Sequence, residues 1–326
     1  MAMEEGKQSS TSSRPYSSAV DYIAGTLFLA VAFLFHWVGQ TVSLVNYDLA
    51  LKLGLQEDGI PPEFQAYEMG IAVGDCALGW TYAFAGVGVL MKKQWGYRMA
   101  WFPSVVLLYH SLCFVEWTAG WIRLGYGELP LAQPLGRYSW FAANISCAVV
   151  GLFVAWAHQP RERNLRQIFP GANVLAGILL LLVGFLCHWV ASLISLSSWD
   201  LAVRLGFQMN NLTTEMQVYV RAFAVADSLI GWVYGLSGIG MLWNKTWGYQ
   251  TAWFGLILVY YAINFLAWTH LRMKLGYQMT VDEPPIRFTW FFANLITGIL
   301  AVAVSWDYWS KSIYRSRSGW ERIPET

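Results

Sequence analysis

The stretch YEMGIAVGDCALGWTYAFAGVGVLMKKQWGY at residues 67–97 returns as YVRAFAVADSLIGWVYGLSGIGMLWNKTWGY at residues 219–249. Each copy is a long apolar segment with an aspartate near its centre, followed by Gly-Trp and then by Trp-Gly-Tyr. A charged residue inside a lipid-embedded helix costs roughly 3 kcal/mol on insertion scales, so an aspartate kept in both copies indicates a role beyond apolar packing. The stretch predicts a tandem duplication of one membrane unit.

The duplication extends beyond this stretch at a spacing of 152 residues. The further pairs include His36 and His188, Trp37 and Trp189, Asp48 and Asp200, and Glu63 and Glu215. Near the end of each copy the spacing falls to 150 residues, where Trp140, Asn144 and Trp156 match Trp290, Asn294 and Trp306. We place this slip in a single loop, which aligns Pro103 with Gly255, His110 with Ala262 and Glu116 with Trp268.

Composition and hydropathy place the chain in a membrane. It is 56% hydrophobic and 13% charged, with a mean hydropathy of +0.40, which is too little charge to cover a soluble surface. Its apolar runs of about 20 to 26 residues can cross a hydrocarbon core, and segments in lipid must be helical to satisfy their backbone groups. We predict an all-α, polytopic membrane protein with eight transmembrane helices, at residues 22–45, 66–91, 97–121, 138–158, 172–196, 217–242, 248–270 and 288–309.

Four helices in each copy mean that both copies enter the membrane in the same direction, so we predict two parallel four-helix repeats. With the amino terminus inside, 13 Lys and Arg residues fall on the inner side and 7 in the outer loops, which predicts that both termini are cytoplasmic. The endoplasmic reticulum is the favoured membrane if the chain is eukaryotic. The predicted domains are a disordered tail at 1–18, repeats at 19–158 and 171–310, a basic linker at 159–170 and a tail at 311–326.

Ionisable residues within the predicted spans concentrate in the first copy. They are His36, Glu68, Asp75, His110 and Glu116. In the alignment above, the second copy keeps only the counterparts His188 and Asp227, which predicts one specialised site in the first copy. The structural alternative is that each His and Asp, with Asn144 and Asn294, makes hydrogen bonds between helices.

A run of motifs in the first copy carries a family resemblance. It consists of Pro61-Pro62-Glu63-Phe64-Gln65, Gly79-Trp80, Lys92, Tyr97, Pro103 and Phe114-Val115-Glu116-Trp117. This order resembles the fungal membrane-bound terpene cyclases. The resemblance implies an integral membrane enzyme that protonates an epoxide or alkene on a prenylated substrate, with Glu116 as the acid. A fainter likeness to the four-helix sterol-isomerase fold also implies acid chemistry on an isoprenoid lipid.

An apolar, aromatic-rich interior is suited to acid chemistry. A carboxyl group desolvated among apolar side chains has a raised pKa and stays protonated at neutral pH, while aromatic faces stabilise a carbocation. We expect Glu116 or Asp75 to donate the proton and His110 or His36 to assist, with Glu68 as a further catalytic candidate. The candidates for substrate contact are Trp80, Tyr109, Trp117 and Asp227.

Two other functions stay open on the sequence. A proton-coupled transporter or channel would use Asp75 and Asp227 as equivalent midmembrane groups. A non-catalytic lipid-binding or scaffold protein would need neither aspartate. We expect no matched helix breaks in the two copies, which favours the enzyme over the transporter.

The expected partners are membrane lipids and a lipid-soluble small-molecule substrate, and not nucleic acid. No nucleotide-binding glycine loop, haem ligand pair or flavin motif occurs in the sequence, so no cofactor is predicted. The four cysteines form no C-x-x-C pair, and no metal site is predicted. The oligomeric state is left open.

Overall fold

The computed structural model describes residues 18–126, 134–159, 170–209, 212–274 and 284–317, and every regular element in these ranges is a helix. The predicted tail at 1–18 and the predicted linker at 159–170 lie almost wholly outside the described residues. The last helix continues through Ser310 to Arg317, so the predicted tail at 311–326 begins as helix, and its remainder lies outside the described residues.

The helices of the first copy are α1 (Ser18–Leu27), a π-helical segment (Phe28–Gly39), α2 (Gln40–Val45), α3 (Tyr47–Lys52), α4 (Pro62–Leu78), α5 (Trp80–Leu90), α6 (Gln94–Met99), α7 (Trp101–Arg123) and α8 (Pro134–Ala157). Those of the second copy are α9 (Pro170–Leu179), a second π-helical segment (Leu180–Val190), α10 (Ala191–Ser197), α11 (Trp199–Arg204), α12 (Thr214–Ile230), α13 (Trp232–Leu242), α14 (Thr246–Thr251), a 3-10 turn (Ala252–Phe254), α15 (Gly255–Lys274) and α16 (Pro284–Arg317).

Helices of membrane-spanning length account for most of the described chain. Six are long and apolar enough to cross a membrane, and the number rises to eight if the bent pairs α4–α5 and α12–α13 are each one span. Each bent pair turns by 46° at its break. The predicted all-α, multi-pass membrane class is confirmed.

The matched bends contradict the expectation that the two copies have no corresponding helix breaks. The first bend is at Gly79, where a Cβ atom would lie 2.7 Å from the side chain of Trp37. Trp37 fills the space that this glycine leaves and donates its indole N–H to the carbonyl of Cys76 at 3.1 Å. The tryptophan of the His-Trp motif therefore packs against the glycine of the Gly-Trp motif. The second copy makes the same contact with Gly231, Trp189 and Ser228.

Both first spans contain a π-helical segment. In a π helix the hydrogen bonds run from residue i to i+5, and such segments are frequent at functional sites. His36 lies near the end of the first segment and His188 near the end of the second, and both imidazoles are buried. The π segments therefore set the direction in which each histidine leaves its helix.

The contacts of α7 and α15 correct the alignment of the third spans. The ring of His36 meets His110 edge to face at 4.8 Å, and the ring of His188 meets Tyr261 in the same way at 4.7 Å. His110 therefore corresponds to Tyr261 and not to Ala262. By the same register, Tyr109 corresponds to Tyr260, Trp117 to Trp268 and Glu116 to Ala267.

A difference in local helix geometry explains this register. The second copy begins its third span with the 3-10 turn at Ala252–Phe254, whereas α7 begins directly at Trp101. A 3-10 helix rises about 2.0 Å per residue and an α-helix about 1.5 Å, so the turn covers the same length with fewer residues. One of the two residues by which the repeat spacing falls is therefore lost at the start of the third span. The slip does not lie in a single loop, as the sequence had predicted.

The two copies pack through their second and third spans. Helix α4 lies against α15, and α12 lies against α7. A Cβ atom on Gly74 would come within 2.9 Å of the Tyr260 ring, so α4 and α15 approach closely at this glycine. The rings of Tyr67 and Tyr219 meet at 3.4 Å and those of Trp101 and Trp253 at 6.0 Å, so corresponding residues face each other at both ends of the contact.

Candidate functional site

The first candidate site is a hydrogen-bonded chain that joins three spans. Nδ1 of His36 lies 3.0 Å from Oδ2 of Asp75, and its Nε2 lies 2.6 Å from Oδ1 of Asn144. Nδ2 of Asn144 donates to the carbonyl of Trp140 at 3.0 Å, and the Trp140 ring stacks on the imidazole at 5.3 Å. The predicted hydrogen bonds between helices are confirmed here.

The second candidate site repeats this frame. Nδ1 of His188 lies 3.0 Å from Oδ2 of Asp227, and its Nε2 lies 2.6 Å from Oδ1 of Asn294. Nδ2 of Asn294 donates to the carbonyl of Trp290 at 2.9 Å, and the Trp290 ring stacks on the imidazole at 5.4 Å. The two frames agree to within about a tenth of an ångström in all of these distances.

The hydrogen-bond chain determines where hydrogens must lie. Because Nδ2 of Asn294 donates to a carbonyl, its Oδ1 is the acceptor that faces His188, and Nε2 of His188 must carry a hydrogen. The contact between Nδ1 of His188 and Oδ2 of Asp227 then needs a second hydrogen, held by an imidazolium or by a carboxyl group. In either state the pair carries one exchangeable proton and no net charge. The same reasoning applies to His36 and Asp75.

The two pairs differ at the second carboxylate oxygen. Oδ1 of Asp75 accepts a hydrogen bond from the Tyr260 hydroxyl at 3.1 Å, so both oxygens of this carboxylate are satisfied. Oδ1 of Asp227 is buried and has no hydrogen-bond partner among the described residues. Tyr109, the counterpart of Tyr260, also has a buried hydroxyl with no partner in this part of the chain. The bond that completes the first site is not made in the second.

A cavity of about 590 Å³ adjoins the second pair. It extends from His188 and Asp227 to the turn that follows α11, at Gly206–Met209. Its wall includes the rings of Tyr219, Phe223, Tyr261, Phe265, Trp268 and Trp290. Neither His36 nor Asp75 lines it. Its volume falls within the range of about 300–1,000 Å³ that is typical of small-molecule pockets.

Three of the predicted catalytic residues lie together, but away from this cavity. His36, Asp75 and His110 form one cluster, in which His110 packs edge to face on His36. Nδ1 of His110 has no partner among the described residues. Glu68 is buried two turns before Asp75 on the same face of α4, and its Oε2 also lacks a partner among the described residues.

Three other predicted site residues, Glu116, Trp80 and Trp117, lie apart from both pairs. Glu116 makes an ion pair with Arg123 at 2.5 Å, and their side chains are 21% and 56% exposed. Trp80 is half exposed on the outside of the bundle and donates its indole N–H to the carbonyl of Ala77. Trp117 is buried against Tyr67, whereas Asp227 is the one predicted residue that lines the cavity.

The sequence predicted a specialised site in the first copy, whereas the described cavity lies beside the pair of the second copy. It favoured the first copy because that copy holds more ionisable residues, and it named His188 only as a counterpart of His36. The available signal was the loss of charge in the second copy: Val220 stands where the first copy has Glu68, and it lines the cavity. An apolar replacement opposite a retained His–Asp pair is what a pocket for a lipid-soluble molecule requires.

Comparisons of the chain with protein-family models, with curated proteins and with solved structures gave no match. The resemblance to membrane-bound terpene cyclases therefore rests only on the motifs of the first copy. No group of three His, Cys, Asp or Glu side chains within the described ranges is arranged to hold a metal ion. The fold and site define a class: a multi-pass helical membrane protein with two buried His–Asp pairs, one of them beside an aromatic cavity.

Proposed function

We propose that this protein is an integral membrane enzyme that uses the His188–Asp227 pair to start the cyclisation or isomerisation of an isoprenoid or other lipid-phase substrate. The observation that carries the proposal is the cavity of about 590 Å³ whose wall includes this pair. The pair holds an exchangeable proton, and the cavity is large enough for a lipid-soluble molecule. The proposal keeps the chemistry predicted from the sequence and moves its centre to the second copy.

The reaction begins with proton transfer from the pair to an alkene carbon or an epoxide oxygen of the substrate. The electron pair of the alkene, or a lone pair of the epoxide oxygen as its carbon–oxygen bond breaks, takes up the proton and leaves a carbocation. Loss of a proton from a neighbouring carbon then ends the reaction and returns a proton to the pair. Asn294 holds the imidazole ring in place through this cycle, because it fixes the hydrogen on Nε2.

The walls of the cavity suit a cationic intermediate. A cation over an aromatic face is stabilised by the ring quadrupole, most strongly over Trp. Trp268, Trp290 and Tyr261 provide such faces, and Trp290 also stacks on the imidazole of the proton donor.

The finer architecture belongs to the same proposal. We propose eight spans in two parallel four-helix repeats, related by an axis along the membrane normal. The ring pairs Tyr67–Tyr219 and Trp101–Trp253 support an axis that passes between α4, α7, α12 and α15. Both termini are cytoplasmic in this arrangement, and the endoplasmic reticulum is the favoured membrane for a eukaryotic chain.

Product analysis with matched variants tests the enzyme. Membranes that contain the wild type, Asp227→Asn or Asp75→Asn are incubated with farnesylated and geranylgeranylated epoxides and alkenes, and extracts are separated by mass-resolved chromatography. The wild type is expected to form an isomer of unchanged mass. Asp227→Asn is expected to lose roughly 100-fold or more of this activity, the scale of general acid catalysis.

Asp75→Asn is the matched control, because Asp75 sits in the same His–Asp frame without the cavity. It is expected to keep most of the activity at equal protein abundance. An isomer formed equally well by Asp227→Asn would rule out the His188–Asp227 pair as the proton donor.

A proton-coupled transporter is the second candidate, and the duplicated geometry favours it. The two His–Asp frames match, and the second spans of both copies bend by the same 46°. Discontinuous spans at corresponding positions are a feature of transporter folds with internal repeats. A transporter predicts that Asp75→Asn and Asp227→Asn abolish proton flux into proteoliposomes to the same extent. The cavity beside only the second pair's residues supports the enzyme instead.

A further inference from the structure

Cys187 belongs to two surfaces of the fifth span, which runs over Gly171–Ser197. Its side chain is exposed, and it also lines the cavity. Leu182 and Leu186 on the same span are 51% and 46% exposed and neither lines the cavity, so they mark the face that this span turns to the lipid. Cys187 lies between Leu186 and His188 in the chain, and therefore at the border between the lipid-facing surface and the cavity.

The first copy shows a large side chain at this border. Phe35 corresponds to Cys187 at the spacing of 152 residues, and its ring packs edge to face on Trp140 at 5.8 Å. The counterpart of Trp140 is Trp290, which lines the cavity and stacks on the imidazole of His188. A replacement of a large side chain by a small one leaves space that the neighbours fill only in part. The second copy therefore has a thiol where the first copy covers its tryptophan with a ring.

The depth of Cys187 indicates which part of a lipid meets it. Ten residues separate it from the end of the span at Ser197, which corresponds to about 15 Å at 1.5 Å per residue. The hydrocarbon core of a bilayer is about 30 Å thick, so Cys187 lies near the midplane. Apolar tails occupy this depth, and polar head groups lie outside it.

We propose that the cavity opens sideways to the bilayer through a portal formed by Cys187 and Trp290, between the fifth span and α16, and that the substrate enters with its apolar tail first. The inference rests on the proposed function insofar as it takes the cavity to be the substrate site. It adds the class of substrate: a membrane lipid whose reacting alkene or epoxide lies in the tail and not beside a polar head group. A tail that enters at Cys187 arrives next to His188, the histidine of the proposed proton donor.

Photolabelling from the lipid phase tests the portal. The full-length protein in lipid nanodiscs is equilibrated with a farnesyl ether that carries a photoreactive diazirine at the end of its tail. Labelled peptides are mapped by mass spectrometry after illumination. The wild type is expected to be labelled on the cavity wall, at residues such as Phe223 and Phe265. Cys187→Phe, which copies the first repeat at this position, is expected to lose most of this labelling because the ring closes the portal.

Two control variants and a second route complete the experiment. Cys187→Ala keeps a small side chain, and Asp227→Asn removes the proposed proton donor without touching the portal, so both are expected to retain the labelling. The turn at Gly206–Met209 also borders the cavity and is the competing entrance. Labelling of the cavity wall that persists in Cys187→Phe assigns entry to this turn and overturns the portal.

A measurement on the native side chain does not depend on the folding of Cys187→Phe. A nitroxide spin label is attached to Cys187 in a variant that lacks the other three cysteines, and its collisions with oxygen and with a water-soluble nickel chelate are compared. Oxygen concentrates in the lipid, so collisions with oxygen are expected to dominate. Dominant collisions with the nickel chelate, or few collisions with either reagent, overturn the portal.

The outcomes separate this inference from the proposed function. Loss of cavity labelling in Cys187→Phe, without formation of any isomer by the wild type, supports the portal and contradicts the enzyme. Isomer formation that Cys187→Phe leaves unchanged supports the enzyme and overturns the portal. Absence of labelling on the cavity wall of the wild type overturns the portal as well.

Discussion

Each midmembrane aspartate in this protein is neutralised locally. An isolated charge in an apolar interior is strongly unfavourable, and it becomes tolerable when a partner shares a proton with it. His36 and His188 do so for Asp75 and Asp227, and an asparagine fixes each imidazole from the opposite side. Each copy therefore holds a buried, hydrogen-bonded His–Asp pair, and the pair of the second copy lines the described cavity.

The two tyrosines at equivalent positions make a matched test of this difference. Tyr260→Phe removes the donor to Oδ1 of Asp75 and leaves a buried acceptor unmet, which is expected to lower stability by about 1–3 kcal/mol. Tyr109→Phe removes a hydroxyl that has no partner among the described residues, so it is expected to be neutral or slightly stabilising. The check is the thermal denaturation midpoint of each purified variant at one scan rate. Equal shifts in the two variants would contradict the assigned hydrogen bonds.

Glu116 provides a second test at the residue scale. Its ion pair with Arg123 is partly exposed, and such pairs contribute about 0–1 kcal/mol. Glu116→Gln is therefore expected to leave both the denaturation midpoint and the formation of any isomer nearly unchanged. Loss of product by Glu116→Gln, with product retained by Asp227→Asn, would restore the role implied by the family resemblance.

The histidines and aspartates could be predicted from the sequence, whereas their ranking could not. Repetition at a fixed spacing is enough to identify His36, Asp75, His188 and Asp227. The first copy holds the additional histidine and glutamate in either register, but the sequence alignment set His110 opposite Ala262 and not Tyr261. One residue of register, set by a 3-10 turn, separates that alignment from the contacts seen in three dimensions.

The spans that carry the His–Asp pairs depart from regular α-helical geometry close to these residues. Each first span changes to π-helical bonding before its histidine, and each second span bends just after its aspartate. The span positions follow from hydropathy, because apolar length is a property of composition. The π segments and bends do not, because they depend on the contacts of Trp37 and Trp189 with the neighbouring span.

Glycine spacing gives a prediction at this scale. A Cβ atom on Gly88 would lie 2.4 Å from the Cα atom of Gly96, and backbone cannot move aside as a flexible side chain can. Gly88→Ala is expected to destabilise the protein by about 1–3 kcal/mol through overpacking where α5 meets α6. Gly171→Ala is the control, because nothing lies within 4 Å of its added Cβ atom. Similar denaturation midpoints for both variants would show that the α5–α6 contact is looser than described.

At the scale of the whole molecule, the His–Asp frame is duplicated, whereas the described cavity adjoins the second frame. Two copies that pack through corresponding helices give a stable frame, because the close approach at Gly74 and the facing ring pairs join them. Once one frame holds its aspartate through Tyr260, the other is free to keep an open pocket. Under the proposed function, the first copy is structural and the second copy provides the reacting pair.

The proposed parallel orientation of the two copies has a direct consequence for labelling from either side of the membrane. Asp58 and Arg204 are exposed in the segments before the bent spans, whereas Lys93 and Lys245 are exposed in the turns after them. In a background that lacks the four native cysteines, Cys at position 58 or 204 is expected to react with an impermeant maleimide on sealed vesicles of one orientation. Cys at 93 or 245 is expected to react only after permeabilisation. The two positions on each side control for each other, because inverted repeats would place 58 and 204 on opposite sides of the membrane.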